Sequence, residues 1–225
     1  MDLYTRFYAT FILDDRYLYF WDGLKISMIL TLGSFIAGSL IGVLFCALSR
    51  SKNKAVSRAA RAINAILVDL PTMVMLMVFV YIIFGESGLN VIIIAIFALT
   101  LKAAAYLSDI FRTALETVQP GEIEAARTLG MSKTQAFFLV TFPQAVTAAK
   151  PVYKNQFVST MQETSVVGYI AIMDLTRASS VVTARTLDAL FCLIVISLVY
   201  LIIGLIGQGI ISLFGRKKHL GGENA

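Results

Sequence analysis

Three ionisable residues, Asp69, Lys102 and Glu163, stand inside otherwise apolar stretches of this 225-residue chain. An ionised group in hydrocarbon is costly, so such residues face a partner or a water-filled path. Lys102 lies about 13 residues, roughly 20 Å at 1.5 Å per residue, from one end of its stretch. Asp69 lies about 8 residues, roughly 12 Å, beyond Arg61 at the opposite edge. In a hydrocarbon core about 30 Å thick the two reach similar depth. One reading is therefore an Asp69–Lys102 ion pair. In the other, Lys102 faces a passage and meets a carboxylate, with Tyr106 one turn away on the same helical face. Gln162, Glu163, Thr164 and Ser165 would then supply a polar wall from another stretch. Glu163 equally reads as a helix-end group near the headgroups.

Enzyme chemistry has little to stand on. The chain has no GxxxxGK[ST] phosphate loop, no histidine cluster, no Ser/His arrangement and no metal-ligand spacing. Its single histidine, His219, sits in a polar tail. Cys46 and Cys192 fall inside apolar segments, where they read as small buried side chains. The chain is therefore expected to catalyse nothing and to bind no metal or cofactor of its own.

The elements that must position these residues are membrane helices. Hydrophobic residues make up 58% of the chain and charged residues only 15%, against about 25% charged in a soluble domain. A crossing helix needs about 20 mostly apolar residues. Residues 24–48, 63–84, 89–111 and 186–214 meet this. Residues 145–170 form a fourth, irregular span, broken near Pro143 and also carrying Pro151, Lys154 and Glu163. The expectation is a single all-α transmembrane domain over residues 1–225 with five spans. Ser34, Gly38 and Gly42 recur every fourth residue of the first span, a spacing that lets helix backbones approach closely.

Charge orients these spans. The formal charge of +5 lies in short clusters between apolar segments, a pattern of membrane loops and not of nucleic-acid binding. Arg50, Lys52, Lys54, Arg58 and Arg61 fill the first connection. Arg112, Arg127 and Lys133 occupy the third, and Arg216, Lys217 and Lys218 the tail. With five spans all three clusters share one face, which should be cytoplasmic. Of the outer loops, 84–89 holds no Lys or Arg, and about 172–185 carries only Arg177 and Arg185 beside Asp174. The N-terminus is then outside and the C-terminus inside.

The third connection, about residues 117–135, carries the most local information. Pro120 suits a first helical turn, and Glu122 and Glu124 complement its positive end. Arg127 lies toward the negative end, and Gly130 suits the left-handed residue that stops a helix. Ser132 with Gln135 reads as a capping box opening the next one. A short cytoplasmic helix of about two turns results, with Ala125 and Ala126 as a slim side for another protein.

Glu124-Ala-Ala, Gly130 and Phe142-Pro143-Gln144-Ala145 together resemble the "EAA" loop of ABC importer permeases. Ala105-Tyr-Leu-Ser-Asp-Ile-Phe-Arg112 is similar to the "AYxxEIxR" segment of the polar amino-acid branch. Asn155-Gln-Phe with Gln162-Glu-Thr-Ser165 is similar to its "NxF…KDTS" segment, though Gln162 and Glu163 replace Lys and Asp. Val-Asp69-Leu-Pro71-Thr likewise departs from "RGTP". The resemblance implies a type I ABC importer fold in a prokaryotic cytoplasmic (inner) membrane. It implies a coupling helix in which Gly121, Glu124, Ala125, Ala126 and Gly130 transmit ATP-driven closure. ATP and Mg would belong to a pair of partner ATPase subunits. A second permease copy, identical or homologous, and an extracytoplasmic amino-acid-binding protein complete the implied set. Lys102 would suit a substrate carboxylate and Glu163 an amine, so the individual amino acid stays open. A passive channel or a membrane scaffold is the alternative, and it does not predict the capped helix at this spacing.

Overall fold

The computed structural model describes residues 2–213. The chain enters through a short helix, α1 (Leu3–Phe7), continued by a π-turn (Tyr8–Ile12) and a 3-10 turn (Leu13–Asp15). Arg16 closes this lead-in, donating from Nη1 to the Ala9 carbonyl at 2.7 Å and pairing through Nη2 with Asp14 at 3.0 Å. The first apolar helix, α2 (Tyr17–Ser49), begins at Tyr17 and not at Leu24. Tyr17, Tyr19, Phe20 and Trp21 extend it, residues that suit a membrane interface.

The second apolar segment is not one straight span. It divides into α3 (Lys54–Asp69) and α4 (Thr72–Met77), the latter prolonged by a π-turn (Val78–Ile83). The two halves meet at 104°. Pro71 has no N–H to continue the ladder and drives the preceding residue out of helical geometry. Leu70 is accordingly extended, at φ −70° and ψ 126°. Apolar composition alone made residues 63–84 look continuous.

α5 (Val91–Glu116) packs along α2 through the small residues Ser34, Gly38 and Gly42, all buried. Added side-chain atoms at Gly38 or Gly42 would stand 2.8 Å from the Ala103 Cβ or 3.0 Å from the Leu107 Cβ. The close backbone approach expected from the spacing is therefore present. After α5 comes α6 (Pro120–Thr128), then α7 (Lys133–Ala136), a π-turn (Phe137–Thr141), α8 (Phe142–Glu163) and a 3-10 turn (Thr164–Ile170). The expected break near Pro143 does not occur. The π-turn ends just before Pro143, and its wider winding relieves the crowding a proline ring causes in the turn behind it. α8 is held to α2 by Phe35, which meets Phe157 edge-on at 5.3 Å and Tyr153 at 4.9 Å.

The region expected as an outer loop, about 172–185, is largely helix: α9 (Leu175–Thr186), set at 54° to the segment before it. Asp174 caps it by accepting from the backbone N–H groups of Thr176 at 3.1 Å and Arg177 at 3.0 Å. α10 (Ala189–Leu213) follows. Among the described residues there is no strand. Within the same described residues, 2–213, three helices, α2, α5 and α10, are long and apolar enough to cross a membrane, and up to five crossings result if each bent pair counts as one.

Ion pairs define the two ends. Arg50 meets Glu116 at 3.9 Å, placing the ends of α2 and α5 and both basic connections together. At the other end Arg6 meets Asp188 at 3.6 Å, and Arg185 lies 4.9 Å from the Tyr19 ring. The tail residues Arg216, Lys217, Lys218 and His219, and the last residue of the expected 186–214 span, lie outside the described residues.

Candidate functional site

The capped helix expected within residues 117–135 is present as α6, nine residues opened by Pro120 after an extended Gln119. Its end is tied by Leu129 N–H to the Ala125 carbonyl at 3.1 Å and by Met131 N–H to the Ala126 carbonyl at 3.2 Å. Gly130 takes φ +87° between them, the left-handed geometry that ends a helix without side-chain strain. Arg127 reaches past the stop and donates to the Met131 carbonyl at 2.7 Å. The capping box follows, with Gln135 N–H on Ser132 Oγ at 3.2 Å and Ser132 N–H on Gln135 Oε1 at 2.7 Å.

The two alanines do not share a face. Ala126 is buried against its own chain, whereas Glu124 and Ala125 are exposed. The slim outward side is therefore Ala125 with Gly121, where an added Cβ would meet nothing within 4 Å. Leu129, 81% exposed, adds an apolar knob beside Ala125. It went unread in the sequence, where its one signal is a large apolar residue directly before the glycine stop. Gln144 at the base of α8 donates to the Glu122 carboxylate, so α6 is fastened to the long segment that follows it.

Lys102 and Asp69 do not form the expected ion pair. Asp69 is exposed, whereas Lys102 is only 3% exposed and turns its ammonium onto backbone. Its Nζ donates to the Val68 carbonyl at 2.8 Å and to the Leu70 carbonyl. Tyr106, whose ring centroid lies 5.4 Å from Nζ, donates its hydroxyl to the same Val68 oxygen at 3.4 Å. The bend at Pro71 frees those carbonyls, and they outcompete a carboxylate that points away.

Of the four polar residues expected on a wall, Thr164 is turned inward, fully buried, with its hydroxyl on the Met161 carbonyl at 2.7 Å. Gln162 is exposed, while Glu163 and Ser165 are half-buried. The Glu163 Oε2 is buried without a hydrogen-bond partner. Such an oxygen in a native fold calls for a functional or solvent explanation.

Residues 30–219 match the model of the binding-protein-dependent transport system inner membrane component family. The chain belongs to this family. The probable glutamine ABC transporter permease protein GlnP of Bacillus subtilis is 28% identical to this inner membrane component over 176 residues, covering 77% of this chain and 80% of that protein. The histidine/lysine/arginine/ornithine transport system permease protein HisM of Salmonella typhimurium is 26% identical over 232 residues, covering 97% and 95%. A crystal structure of an amino acid ABC transporter with histidines superposes with a TM-score of 0.81 at 27% identity, over 96% of this chain and 98% of that one. The inner membrane component thus shares its fold with that amino acid ABC transporter over 96% of its length.

Proposed function

We propose that this chain is the permease subunit of an ATP-driven ABC importer for amino acids of the polar or charged class. The observation that carries the reading is α6: a short helix opened by Pro120 and stopped at Gly130 that presents Gly121, Glu124 and Ala125 outward, with Leu129 just beyond it, while Ala126 and Gln144 fix it to the body. An exposed Leu beside an Ala on an otherwise polar helix is a surface that a protein partner would cover. That partner is an ATPase subunit, which holds the ATP and Mg. Closure of the ATPase pair would push α6, and the Glu122–Gln144 link would pass the movement to α8.

The bent pairs α3–α4 and α7–α9 each act as one span, so the fold is a type I importer domain with five crossings. The end bearing Arg50, Arg112 and Lys133 is cytoplasmic, which leaves the N-terminus outside and the C-terminus inside. Five helices make a small wall, and a second permease copy supplies the rest of the passage. An extracytoplasmic amino-acid-binding protein delivers the substrate. Gln162, Glu163 and Ser165 line the path, and the unpartnered Glu163 oxygen receives the substrate's ammonium group. Lys102 and Tyr106 stand behind this wall.

Co-expression with the cognate ATPase tests the coupling surface. The wild-type chain should co-purify with the ATPase, and Glu124→Lys or Leu129→Asp should abolish the complex. An undiminished complex with both variants would overturn the assignment of α6.

A further inference from the structure

The bend between α3 and α4 leaves main-chain acceptors without backbone donors. In an unbroken helix the Val68 and Leu70 carbonyls would accept from the N–H groups of Thr72 and Val74. Pro71 interrupts that ladder, and bonding resumes with Met75 N–H on the Pro71 carbonyl at 3.0 Å. Lys102 on α5 takes both freed carbonyls, and Tyr106 adds a donor to the Val68 oxygen. No carboxylate among the described residues pairs with Lys102.

A buried ammonium without hydrogen bonds is costly, and so are buried carbonyls without donors. Here each makes the burial of the other tolerable. The freed carbonyls lie at the negative end of the α3 dipole, which favours a cation. The lysine and the bend are therefore parts of one device.

What the bend positions is visible in the core. Met75, Leu76 and Val80 pack with Val167, Ile170, Ala98 and Leu99. The 3-10 turn that contains Val167 and Ile170 begins directly after Glu163. We propose that Lys102 is a positioning residue: by donating to Val68 and Leu70 it sets the angle of the second span and, through α4, the placement of the Gln162–Ser165 wall. This rests on the amino-acid permease reading, and it gives Lys102 a role as hydrogen-bond donor in place of direct contact with a substrate carboxylate.

Two variants separate donation from charge. Lys102→Met keeps the bulk and loses the donors. Lys102→Gln loses the charge and keeps two N–H groups. Spin labels at Ile66→Cys on α3 and Ile82→Cys beyond α4, both exposed positions, report the bend once Cys46 and Cys192 are replaced by Ala. In the full complex with ATPase and binding protein, Lys102→Met should shift or broaden the 66–82 distance. It should also lower maximal ATP-driven uptake about tenfold, the scale of one lost hydrogen bond. Lys102→Gln should stay close to wild type in both. Unaltered distances in Lys102→Met, or equal loss in both variants with a raised KM, would overturn the proposal. Should Lys102→Met fail to fold, Lys102→Gln decides alone: wild-type spacing supports donation, and failure of both variants points to charge and overturns it. If the wild-type complex takes up no amino acid, the permease reading fails, while the spin-label distances still decide whether Lys102 sets the bend.

Discussion

A β-carbon on Gly38 would stand 2.8 Å from the Cβ of Ala103, so α2 and α5 meet with no room for one further side-chain atom. At Gly33, by contrast, the added atom would lie 3.5 Å from Ile96 Cγ2, an ordinary contact. Gly38→Val should therefore destabilise the chain by about 1–3 kcal/mol, the usual cost of overpacking. Gly33→Ala should leave stability unchanged. Thermal unfolding of the purified protein in detergent distinguishes the two.

The glycines of the α6 region should separate folding from docking. Gly130 at φ +87° has no good substitute, and Gly130→Ala should cost about 1–2 kcal/mol of local stability. Amide exchange at Leu129–Met131 should rise, and ATPase binding should fall with it. Gly121 has open space around it, so Gly121→Leu should keep the wild-type melting profile and still weaken ATPase co-purification.

Asp174 ends a turn and starts a helix while fully buried. Asp174→Ala removes the acceptor for two backbone N–H groups and should cost about 1–2 kcal/mol, at the upper end for a lost cap. Asp174→Asn keeps one of the two accepting oxygens, Oδ1 for Arg177 N–H or Oδ2 for Thr176 N–H, and should recover only about half of the loss. Limited proteolysis across α9 is a suitable readout.

Glu163 offers the sharpest test of the passage. Glu163→Gln keeps the size and removes the charge, so KM for an amino acid should rise about tenfold, the scale of one charge-assisted hydrogen bond. The melting profile should stay the same. Uptake kinetics identical to wild type would remove Glu163 from the path.

Much of this could be read from the chain, and the misses have physical causes. α2, α5 and α10 declare themselves by apolar length, and α6 by local chemistry, since Pro120, Gly130 and the Ser132–Gln135 box act within a few residues. The bend at Pro71 was hidden because Leu67–Met77 stays apolar on both sides of Asp69. The partners of Lys102 were hidden for a deeper reason: they are backbone carbonyls, which every residue has and no side-chain pattern reveals. Asp69 drew attention as a carboxylate at the right depth, but it is the last residue of α3 and points outward. α9 escaped because its serines, threonines and valines are modest helix formers, leaving the Asp174 cap as the main sign.

The most direct test is uptake of a panel of labelled amino acids by proteoliposomes holding this chain with its ATPase, in the presence of the binding protein. Saturable uptake of a polar or charged amino acid that requires ATP, and is lost when Glu124→Lys uncouples α6, is the expected result. Uptake that proceeds equally without ATP, or that survives the loss of α6 coupling, would contradict it and favour a passive channel.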